Sequence, residues 1–66
     1  MEMMIVISSF IRAIGYDLKS KRMKIRLANG KTYDFYGVPE SVHQALFNAD
    51  SIGTYYNKHI KHRYTL

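Results

Sequence analysis

The sequence predicts an α+β fold: an antiparallel three-stranded meander, with room for a short extra N-terminal strand, followed by two short helices packed on one sheet face. Three observations carry this. Arg22 to Ala28 (RMKIRLA) alternates strictly, with Met23, Ile25 and Leu27 on one side and Arg22, Lys24 and Arg26 on the other, the period of a half-buried strand. Asn29-Gly30 follows at once and is a strong short-range hairpin signal. In PESVHQALFNA, Val42, Ala45, Leu46 and Ala49 fall at i, i+3, i+4 and i+7, the stripe of a one-sided helix. At 66 residues the chain reads as a single domain, 1–66, near the lower size at which packing alone holds a fold.

In chain order, Ile5 to Ile7 is a short β-branched run, and Phe10 to Tyr16 is a second candidate strand of mixed parity. Ser8, Ser9 and Gly15 are the places for a bend or bulge. A four-residue loop at Leu18 to Lys21 sets Tyr16 against Met23 and Ile14 against Ile25. Lys31 to Tyr36 is the return strand of the second hairpin, and two registers are open to it. A two-residue type I′ loop at Asn29-Gly30 puts Arg26 opposite Tyr33 and Lys24 opposite Phe35, so that rings and cations share one face, as on the stacking platforms of single-strand RNA binders. A three-residue loop, Ala28 to Gly30 with Gly30 left-handed, puts Ile25 opposite Tyr33, Met23 opposite Phe35 and Lys24 opposite Asp34. A slip of one residue exchanges the faces, and the second register makes the apolar sets coincide, so it is the favoured one. Tyr33 and Phe35 then enter the core, and Tyr36 remains among the charges.

Gly37-Val38-Pro39 connects to the first helix. Pro39 suits the first helical position, where a missing N–H costs nothing, and Glu40 complements the positive end of the dipole. Asp50-Ser51 stops this helix and offers the next an N-cap. In the last segment, IGTYYNKHIKHRYTL, Ile52, Tyr56 and Ile60 lie on one side with Tyr55 and His59 beside them. Gly53 costs roughly 1 kcal/mol against alanine in a helix interior. Helical spacing would bring Lys58, Lys61 and His62 to one face.

The elements SS (8–9), IGYD (14–17), LANG (27–30), YDFYGVP (33–39) and ADSIGTYYNKHI (49–60) together resemble the KTSC domain family, from about Ser8 to Ile60. That family takes its name from the C-terminus of some lysyl-tRNA synthetases and also occurs as small stand-alone bacterial proteins. Its tyrosine-any-tyrosine signature matches Tyr33-Asp34-Phe35, with phenylalanine in the second place, so a role needing a hydroxyl at position 35 is not carried over. The attachment to synthetases implies an RNA-associated module, a link between domains and not a mechanism.

Ten Lys and Arg against five Asp and Glu leave a net charge of +5, which favours encounter with an anionic partner, most often nucleic acid. The expected function is therefore a small basic, non-enzymatic module binding RNA, tRNA-like in kind, through a basic and aromatic surface. The foremost candidate site is the C-terminal cluster Lys58, His59, Lys61, His62 and Arg63 with Tyr55, Tyr56 and Tyr64 interleaved, where cations could track phosphates; the competing reading is a solvated helix end, since cations suit that end of the dipole in any case. The sheet face of Arg22, Lys24, Arg26 and Tyr36, with Arg12 as a further candidate member, is second, its competing reading an ordinary wet surface. The alternative function is a protein-interaction or self-association module, since tyrosine is enriched at interfaces.

Other chemistry finds no support. His59 and His62 stand three apart with His43 in the preceding helix, but there is no cysteine and no nearby carboxylate to complete a metal site; His59 is expected to pack and the other two to be exposed. Ser8-Ser9 lacks a nucleophile elbow, the four glycines are scattered and form no phosphate loop, and no cofactor is expected. Glu2, Ser8, Ser9 and Arg12 interrupt the apolar start too early for a signal peptide or membrane span. A cytoplasmic protein without disulfides is the matching expectation.

Overall fold

The computed structural model describes residues 1–64, so Thr65 and Leu66, the end of the last predicted segment, lie outside the described residues. Four strands form one antiparallel sheet in sequence order: β1 (Met3–Ile5), β2 (Ile11–Asp17), β3 (Arg22–Leu27) and β4 (Thr32–Phe35). The extra N-terminal strand is present, shifted from the expected Ile5–Ile7 run to Met3–Ile5, where it pairs with Ala13–Gly15.

The β3–β4 hairpin takes the register that makes the apolar sets coincide. Met23 faces Phe35, Lys24 faces Asp34 and Ile25 faces Tyr33. Its loop closes with Leu27 N–H donating to the Lys31 carbonyl at 2.8 Å and Gly30 N–H donating to the Leu27 carbonyl at 3.0 Å. Gly30 sits at φ +93°, a conformation glycine adopts without steric cost. The first hairpin also has the expected pairs, Tyr16 with Met23 and Ile14 with Ile25. Its turn is held by Asp17, whose carboxylate accepts from the Ser20 hydroxyl at 2.8 Å and from Lys19 N–H at 3.3 Å.

The mixed parity of β2 has a cause: the register against β3 shifts between Ile11 and Ala13. Arg12 is the inserted residue of a bulge, which lets Ile11 and Ile14 both be fully buried while Arg12 is exposed. Gly15, an expected bulge position, is instead regularly paired. A β-carbon there would come within 2.6 Å of the Met3 sulfur and 3.1 Å of the Met1 sulfur, so its small size makes room for the methionines that cover β2. The Ser8–Ser9 bend is present, with Ser8 Oγ accepting from Phe10 N–H at 3.2 Å and Ile11 N–H at 3.3 Å.

The helix α1 (Glu40–Phe47) begins one residue later than expected. Pro39 has an extended ψ of 150° and stands before the first helical residue. Within α1, Leu46 is fully buried and Val42 packs on the core, but Ala45 is exposed and Ala49 lies beyond the helix end. Val38, expected only as connection, is fully buried: its N–H donates to the Lys21 carbonyl at 3.0 Å and its carbonyl accepts from the Tyr16 hydroxyl at 2.6 Å. The helix α2 (Ile52–Tyr55) is capped by Ser51, whose Oγ accepts from Thr54 N–H at 3.4 Å. It runs directly into a π-helical turn, Tyr56–Ile60. Tyr56 and Ile60 are buried and close a core with Ile11, Ile14, Met23, Ile25, Leu27 and Phe35; each large apolar side chain so buried contributes about 1.5–3 kcal/mol.

Candidate nucleic-acid interface

The cations of β3 project from the sheet face opposite the helices. Asp34 is the common partner there, 3.3 Å from the Arg22 guanidinium and 4.0 Å from Lys24 Nζ. Both contacts are partly exposed and worth little. Arg26 Nε donates to Thr32 Oγ1 at 3.4 Å, and Tyr36, half exposed, has the Arg22 guanidinium 5.5 Å from its ring centre. One face of that ring is thus already taken.

The C-terminal cluster is built differently from the expected helical face. The helix stops at Ile60, and the π turn closes with Lys61 N–H donating to the Tyr56 carbonyl at 2.9 Å. Lys61 is extended (ψ 131°) and His62 is left-handed (φ 71°), so Lys58, Lys61 and His62 do not form one helical stripe. The reason is packing: Tyr56 and Ile60 must both be buried, and the chain then turns back over the sheet, with Tyr64 against the core.

That reversal makes a pocket of about 490 Å³ between the π turn and the β3–β4 hairpin. The rings of Phe10, Tyr33, Phe35, Tyr56 and Tyr64 line it. Lys61 and His62 also contribute to its wall. Phe10 and Phe35 both pack on Tyr56, with ring centres 5.8 and 6.0 Å away. Burial, and after it the neighbouring Tyr33, pushes the Tyr56 phenol above its usual pKa. Tyr33, placed in the core by the register argument, is partly buried at this pocket. The one hint of the pocket in the sequence was the return of a tyrosine, Tyr64, after the basic run.

The remaining sites separate. Tyr55 is half-buried against the core with its ring 4.4 Å from His59, away from the pocket lining. Lys58 and Arg63 are exposed. The sheet lies between the two basic groups, since Lys24 and Arg26 occupy the face away from the helices. His62 is exposed as expected, but the other two histidines reverse the expectation: His59 is exposed, whereas His43 is partly buried and stacks on Tyr16 at 4.5 Å. Burial pulls His43 below its ordinary pKa, against an opposing influence of Glu40, and its Nδ1 is buried without a partner among the described residues.

Comparison with known proteins assigns the family. The family model described as the KTSC domain matches residues 7–64. The chain belongs to the KTSC family. A KTSC domain protein from Yersinia pestis, known from a crystal structure, superposes with a TM-score of 0.94 at 34% identity, covering 97% of this chain and 90% of that one. An uncharacterized protein of Stutzerimonas stutzeri (strain A1501) is 37% identical over 82% of this chain and 76% of its own length. A lysine–tRNA ligase of Nostoc punctiforme (strain ATCC 29133 / PCC 73102) is 36% identical over 85% of this chain, which corresponds to only 10% of the ligase. KTSC domains therefore occur both in small proteins and within lysine–tRNA ligases. No described helix of this KTSC chain is long and apolar enough to cross a membrane.

Proposed function

We propose that this KTSC domain is a non-enzymatic module that binds RNA of a structured, tRNA-like kind, with Lys58, Lys61, His62 and Arg63 as the principal contacts. The observation that carries it is the C-terminal reversal, which holds Lys61 and His62 on the wall of an aromatic pocket with exposed Lys58 and Arg63 flanking them in sequence. Cations beside partly exposed rings, here Phe10, Tyr33 and Tyr64, are a combination that can track a phosphate backbone while stacking on splayed bases. The match to a segment of lysine–tRNA ligases supports the choice of RNA over other polyanions. Lys24, Arg26 and Tyr36 form a secondary surface on the other side of the sheet. Fluorescence anisotropy with a labelled tRNA mixture at low salt tests the order: replacing Lys58, Lys61 and Arg63 together by glutamine should weaken binding about tenfold or more, and more than replacing Lys24 and Arg26. A triple variant that binds as tightly as the parent contradicts the reading.

A second reading, self-association, is favoured by a separate observation. Ile5 is 82% exposed on the edge strand β1, and Ile7 just beyond it is fully exposed, whereas uncovered strand edges are usually protected by charge or proline. A sedimentation coefficient that is the monomer's at every concentration would exclude it.

A further inference from the structure

The rings beside the cation surface enclose a pocket and do not form a flat platform, which limits what part of an RNA can enter. We propose that this pocket takes a single unstacked base of the bound RNA, with the phosphate of that nucleotide at Lys61 and His62; the inference rests on the RNA reading above. The volume of about 490 Å³ falls in the span of roughly 300–1,000 Å³ typical of small-molecule sites. The walls are rings that a flat heterocycle can stack against, which requires a base already out of its helix. Polar handles are present as well. Tyr33 and Tyr64, both partly buried in the lining, carry phenol groups that can donate to or accept from a base edge.

The charge argues for a nucleotide over an apolar peptide side chain. Two of the lining residues are Lys61 and His62, and none of the lining among the described residues is Asp or Glu. The backbone also fixes them there, through a π-helical turn that ends at Ile60 and a left-handed, non-glycine His62 two residues further on. Such turns and such strained residues concentrate at functional sites.

Amide chemical shifts of the full chain, followed through titrations with adenosine monophosphate, ribose 5-phosphate and a tRNA mixture, test this. Expected are base-dependent shifts at Phe10, Tyr33 and Tyr64 with the nucleotide and with tRNA, and shifts confined to Lys61 and His62 with ribose 5-phosphate. Lys61→Gln should weaken nucleotide binding about threefold to fivefold, the effect of losing one partly exposed charged contact, while Lys19→Gln, at an exposed position of the first hairpin turn, leaves it unchanged. Tyr64→Leu should weaken it further; if that variant unfolds, the surface variant Lys61→Gln still decides. Should tRNA shift Lys58 and Arg63 but leave the pocket amides still, the pocket inference falls and RNA binding stands. Silence with every ligand overturns both. An apolar peptide that shifts the pocket amides when nucleotide and tRNA do not would give the pocket to a protein partner and overturn the proposal.

Discussion

The Tyr16 hydroxyl joins the sheet to the α1 connection through its 2.6 Å bond to the Val38 carbonyl, and His43 stacks on the same ring. Tyr16→Phe should therefore cost about 1–1.5 kcal/mol, the net worth of a hydrogen bond with some desolvation left uncompensated, read as a lower denaturation midpoint with an unchanged slope. His43 supplies a pH dependence. Burial pulls its folded-state pKa below the ordinary value of 6.5, so the unfolded chain binds more protons than the native state as pH falls below that value. Its contribution is full above about pH 6.5 and is lost as pH falls toward and through the folded-state value. Thermal melts at pH 7.5 and 5 should show a loss of stability that is smaller in His43→Gln. An equal loss in both proteins would contradict this assignment. Val38 was not legible in the sequence, because a lone valine between glycine and proline looks like connection. His43 was half legible: it lies three residues before Leu46, on the buried stripe, but a polar side chain there reads as surface.

At the scale of elements, the hairpins were legible because strict alternation leaves only one register that buries every apolar residue of β3 and β4. Strand β2 was less so, since the Arg12 bulge breaks the period that would reveal it. The π turn was not legible: Lys58 to His62 continues a helical spacing, and only the burial of Tyr56 and Ile60 against the sheet shows where the helix must stop. Two predictions belong here. Gly30→Ala should destabilise by about 1–2 kcal/mol, because φ +93° is strained for any residue with a β-carbon, while the open space around it adds no clash; urea unfolding measures it. Ile5→Lys, at an exposed position of the edge strand, should change stability by less than about 0.5 kcal/mol and should lower any concentration-dependent association seen in sedimentation.

For the whole molecule, the net charge of +5 was legible from composition, but its distribution was not. The described ion pairs converge on Asp34 of the sheet face, while Lys58, Lys61 and Arg63 make none among the described residues. The sheet thus separates a basic face whose cations share one carboxylate from a C-terminal cluster with no described ion pair, and the principal RNA contacts are assigned to the second. The most direct test is the affinity for a tRNA mixture measured across a salt series, for the parent chain and for the Lys58→Gln, Lys61→Gln, Arg63→Gln triple variant. The account predicts a linear fall of log affinity with log salt for the parent, and a slope shallower by about 2–3 in the triple variant, close to one unit for each phosphate contact removed. Affinity that is absent at low salt, or a slope the triple variant leaves unchanged, would contradict it.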